Sequence, residues 1–156
     1  MKTHLITTIS LLLTGICFAA VTTEVVTVQL GPKSFRDGDA IRIDSVESTS
    51  SNLEIGDQVI VRGKYRLDSQ DDARLALFLT QTEGDGSEET DPDQIVAAKR
   101  GWHDFTASIT IKHKGYLHLT FYDNSTGSPF GGVYFGTPDQ ISGDAPVSVD
   151  HYKTGR

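Results

Sequence analysis

Three cations, four aromatic rings and a histidine carry the most suggestive chemistry: Arg62, Lys64, Arg66, Phe78, Tyr116, Tyr122, Tyr134 and His118. Each sits out of phase with an alternating apolar run. Val59, Val61, Tyr65 and Leu67 share one face of a strand with Gly63, and Arg62, Lys64 and Arg66 share the other. Tyr116, His118, Thr120 and Tyr122 oppose Leu117, Leu119 and Phe121. If the odd-numbered residues form the core, the eight candidates point outward. Exposed rings stack on the apolar faces of sugars, and Arg and Lys bind carboxylate or sulfate groups. Such a face would take a glycan, particularly an acidic one, or a protein partner.

Other polar features point to less. Glu83, Asp85, Glu88, Glu89, Asp91 and Asp93 form an acidic loop. Calcium takes six to eight oxygens, but the spacing matches no EF-hand. The bland expectation is a solvated loop. His103 and His113 share the parity of Phe105 and Ile111 and read as caps of a core face. Gly115 reads as a turn that would let His113 and His118 approach across a hairpin end. No Gly-x-Ser-x-Gly elbow, His-Glu-x-x-His pair or phosphate loop is present. No catalytic residue, metal site or cofactor is therefore expected. Phe130 reads as a plug, Trp102 stays open, and Asn124-Ser125-Thr126 reads as a turn rather than a glycosylated sequon.

Strands must position all of this. Period-2 runs predict strands at 26–30, 41–44, 59–67, 75–80, 103–112, 116–122 and 133–135. The segment 95–99 reads as a short strand turning through Arg100-Gly101-Trp102. A helix capped by Asp91 with Pro92 in its first turn is the alternative. Val147-Ser148-Val149 would add an edge strand. All five prolines fall outside these strand cores. Gly63 falls inside one, which predicts a bulge or a close neighbour. The expected fold class is all-β: an antiparallel β-sandwich of about seven or eight strands.

Lys2 precedes a mostly apolar stretch from Leu5 to Phe18, with small residues at Cys17 and Ala19. This predicts a signal peptide over 1–19. The stretch is too short and too interrupted for a membrane span. Lipoprotein cleavage before Cys17 is disfavoured by Ile16, where a small residue is expected. Cleavage near Ala19 would remove the sole cysteine. A secreted domain without disulfides suggests a bacterial periplasmic or extracellular protein. A single domain is expected over 22–150, with a loose tail at 151–156. The 156 residues carry a net charge of −7. That balance argues against a nucleic-acid partner.

Leu53-Glu54-Ile55-Gly56-Asp57-Gln58-Val59-Ile60-Val61 resembles the Gly-Asp-x-Val-x-Val entry to a core strand in bacterial immunoglobulin-like and fibronectin-type-III-like modules. The paired cysteines and core tryptophan of immunoglobulin domains are missing. The resemblance implies an immunoglobulin-like sandwich that binds or spaces rather than catalyses. In such a sandwich the third strand and the last two lie in one sheet, which would unite the eight candidates on one surface. The expected function is a non-catalytic module binding a glycan or a cell-surface protein. The alternative is a structural or adhesion-type subunit pairing through exposed strand edges. A small calcium-assisted hydrolase or lyase is the third class.

Overall fold

Strand β4, Gln58–Glu83, organises the molecule. In this computed structural model the described residues are 21–36, 38–87 and 89–142. The expected signal peptide, Cys17, Asp37, Glu88, the 147–149 strand and the C-terminal tail lie outside them. The other strands are β1 (Glu24–Val25), β2 (Gln29–Ser34), β3 (Ala40–Ser48), β5 (Ile95–Thr110), β6 (Lys114–Tyr122) and β7 (Pro129–Gly136). A 3-10 turn at Pro92–Gln94 precedes β5, and a short helix α1, Pro138–Ser142, follows β7. The strands form one curled antiparallel sheet in the order β1-β3-β4-β6-β7-β2, with β5 along the other edge of β4.

Two pairs of expected strands are each one strand. The runs at 59–67 and 75–80 are the arms of β4, which keeps its parity across an irregularity between Leu67 and Asp72. The first arm pairs with β3 and the second with β6. Likewise 95–99 and 103–110 are both β5, which runs on through Gly101 at φ +98°. The Asp39 carboxylate braces the bend. It accepts from the Asp68 N–H at 2.8 Å, the Ser69 N–H at 3.0 Å and the Ser69 hydroxyl at 2.6 Å. The Asp68 and Ser69 amides thus stay paired while the strand turns a corner.

The core lies between the arms. Val59, Val61, Tyr65 and Leu67 meet Leu75, Leu77, Leu117, Leu119, Phe121, Val133 and Phe135 in one buried cluster. The Tyr65 ring stands edge-on to Phe121 at 5.9 Å, and its hydroxyl accepts the Lys99 N–H at 3.0 Å. Phe130 is the expected plug: it stacks on Phe121 at 5.7 Å, with the Arg36 guanidinium 4.4 Å from its ring centre. Gly63 has the expected close neighbour. Opposite it, β3 is irregular between Ile43 and Ser45, and the Arg42 carbonyl presses on its Cα.

The 91–101 segment combines both readings. Pro92 begins a single 3-10 turn, closed by the Asp91 N–H donating to Gln94 Oε1 at 2.8 Å. Strand β5 starts directly after it. The buried Gln94 amide donates to the Leu77 carbonyl at 3.0 Å, extending the β4 edge where β5 pairing ends.

Candidate functional site

The eight sequence candidates do not share a surface. Because the inner faces of the β4 arms meet across the core, their outer faces point apart. Arg62, Lys64 and Arg66 lie on the outer face of the first arm, paired with Glu47, Asp104 and Asp68. Phe78, His118, Tyr122 and Tyr134 lie on the outer face of the second arm. There the rings pack on one another: Phe78 against Tyr122 at 5.7 Å, and His118 against Tyr134 at 5.0 Å. His118 Nδ1 lies 2.7 Å from the Thr120 hydroxyl, and the Tyr134 hydroxyl 3.2 Å from that of Thr80.

These rings are not an exposed platform. His118 is 8% exposed and Tyr134 4%, while Phe78, Tyr116 and Tyr122 are half-buried. Ala76 and Thr120 on the same outer face are also buried. The outer face of the second arm is therefore buried at its centre, while Arg74 and Thr80 on it stay exposed; period-2 patterning suggested a face solvated throughout. Burial pushes the Tyr122 phenol up to about 12; the neighbouring Tyr134 adds to the rise and Arg74 opposes it.

Among the described residues, Trp102 is an exposed aromatic, 55% exposed and opposite Arg66 across the β4–β5 ladder. His113 precedes β6 and His118 lies within it, and Gly115 is a strand residue. The two histidines therefore do not face each other across a hairpin end. His103 is exposed and packs on the Tyr65 ring at 5.4 Å. In the 123–128 turn, Asp123 Oδ1 accepts the Ser125 and Thr126 N–H groups at 2.8 and 2.9 Å. Asp123 holds that turn, not Asn124. Among the described residues, no three His, Cys, Asp or Glu side chains converge as metal ligands. Nor, among them, is any helix long and apolar enough to cross a membrane.

A groove of about 1070 Å³ lies at the open end between the arms. One wall is β1 with the 51–55 loop. The opposite wall is Thr82 with His113, Lys114 and Tyr116, and Thr137–Gln140 close the end. Of the eight candidates, Tyr116 alone lines it. Val25 and Ile55 stand on its wall, 76% and 65% exposed. Leu53, buried beside them, takes φ +55°, a left-handed conformation that bulky residues rarely adopt. The Gln140 amide holds this loop to α1, donating to the Leu53 carbonyl at 3.2 Å. The Gly56 N–H donates to the Ile111 carbonyl, and the Ile111 N–H to the Asp57 carbonyl, both at 2.8 Å.

Asp57, from the Gly-Asp-x-Val run, fixes the loop from within. Its carboxylate accepts from the Ser50 hydroxyl at 2.6 Å, the Glu54 N–H at 2.8 Å and the Thr49 hydroxyl at 2.9 Å. Burial works to raise its pKa, but these three donors outweigh it and hold the carboxyl below its ordinary value. Such stability is present above the ordinary carboxylate pKa and is lost as pH falls through the folded value. Asp57→Ala is expected to cost about 1–2 kcal/mol at neutral pH and to flatten the acid limb of stability against pH. Urea unfolding at neutral and acidic pH reads both effects.

Sequence reasoning missed most of the groove because its walls come from five distant segments. One signal was present: Leu53 and Ile55 are apolar residues inside a polar turn. No family model, curated protein or solved structure matches this chain.

Proposed function

We propose that this protein is a secreted or periplasmic, non-catalytic binding module of immunoglobulin-like sandwich type. Its ligand, an extended protein segment or glycan chain, lies in the end groove. One observation carries this: Val25 and Ile55, well exposed, flank a concavity of about 1070 Å³. Binding sites are concave and substantially apolar, with a few polar groups that orient the ligand. Here Asn52 and His113 supply such groups. The strained Leu53 backbone and the braced Asp57 loop support a wall held in one shape.

Peptide and glycan arrays probed with the protein test this. Ile55→Ser and Val25→Ser should weaken any ligand found by roughly tenfold or more, as loss of a central apolar anchor does. Lys64→Ala and Tyr122→Ala, remote from the groove, should leave it unchanged. Loss in the second pair alone would return the site to the outer faces of the sheet.

A second reading rests on β5. Among the described residues its only partner strand is β4. An open edge of this length favours assembly by strand pairing. Light scattering that rises with concentration supports it; a monomer at every concentration removes it.

A further inference from the structure

Resting on the groove reading, we infer that the ligand is a cationic protein segment: an extended stretch with a small apolar side chain flanked by lysine or arginine. The charge around the groove is the reason. Glu24, Glu54 and Asp139 line it, all are exposed, and none has an ion-pair partner among the described residues. Its lysine, Lys114, is held by Glu83 at 2.9 Å. The groove therefore presents three carboxylates that no cation among the described residues pairs with.

The rest of the sheet surface is different. Arg42, Arg62, Lys64 and Arg66 on the first arm each have a carboxylate partner. Lys99 and Arg100 near the bend are paired with Asp72 and Asp71. These pairs offset charge over the first arm and the bend, whereas the carboxylates around the groove stay unpaired among the described residues. Walls of one sign around a cleft attract ligands of the other sign, and field lines concentrate there. An acidic glycan would meet three carboxylates and be repelled. A lysine or arginine flanking an apolar residue would place its charge over Glu24, Glu54 or Asp139 and its apolar neighbour on Val25 and Ile55. Electrostatic matching of this kind sets specificity and association rate.

The test uses fluorescence anisotropy with three probes: a short peptide alternating lysine and valine, its glutamate–valine counterpart, and a sulfated oligosaccharide. The lysine peptide should bind at least about tenfold tighter than either other probe, and more weakly as salt rises. The Glu24→Gln/Glu54→Gln double variant should lose most of that preference, and Ile55→Ser should weaken the lysine peptide in parallel. Thermal unfolding of each variant confirms that it is folded. If the glutamate peptide or the oligosaccharide binds as well or better, and Ile55→Ser abolishes it, the groove stands and the cationic ligand falls. If the lysine peptide binds equally to Ile55→Ser, or if no probe binds, the groove reading falls with it.

Discussion

Phe121→Ala is expected to destabilise the fold by about 4 kcal/mol, because it empties the contact between the two arms of the sheet. Phe121 is fully buried. It receives the edge of Tyr65 from the first arm and the stacked face of Phe130 from the start of β7. Tyr65 is itself tied to β5 through the Lys99 N–H and would hold its position. The rigid strands on either side cannot collapse inward, so the space left by the ring stays largely empty. Urea unfolding followed by tryptophan fluorescence gives the value. A loss below about 1 kcal/mol would mean that the arms do not share one packed core.

Gly63→Ala is expected to cost about 3 kcal/mol, although it adds only a methyl group. The added Cβ would overlap the Arg42 carbonyl oxygen on β3 and stand 3.0 Å from the Phe105 ring. The ring has some freedom; the carbonyl belongs to the neighbouring strand and has little. Accommodation requires the β3–β4 ladder to part beside its irregularity, breaking hydrogen bonds in the middle of the first arm. An unchanged unfolding midpoint would contradict this close approach. Leucine or valine at the same position should be worse, since the obstruction is steric and grows with volume.

The strand faces were legible because each buried run alternates cleanly. Val59 to Leu67 and Leu117 to Phe121 show it most plainly. Gly63 was legible too, since a glycine inside such a run needs a reason. The continuity of β4 was not. Asp68 to Asp72 is a polar run that reads as a break, and only Asp39, distant in sequence, satisfies the Asp68 and Ser69 amides at the bend. That bend separates Arg62, Lys64 and Arg66 from the rings they were expected to join. The rings themselves misled for a second reason. Tyr134 and His118 lie opposite a regular apolar face, as solvent-facing residues do, yet both are buried. Alternation marks which residues share a face, but it does not say whether the second face is covered. The groove needed contributions from 24–27, 51–55, Thr82, 111–116 and 137–140, which no local pattern joins. The Gly-Asp-x-Val run was visible, and its physical content is the hydrogen-bonded Asp57 loop on the groove wall.

Chemical-shift mapping of backbone amides during titration with the lysine–valine peptide tests the end groove most directly. The expected result is a set of shifted amides confined to β1, the 51–55 loop, the start of β6 and Thr137–Gln140, with Val25 and Ile55 among the largest. Shifts centred instead on Arg62, Lys64 and Trp102, or spread evenly over the surface, would contradict it.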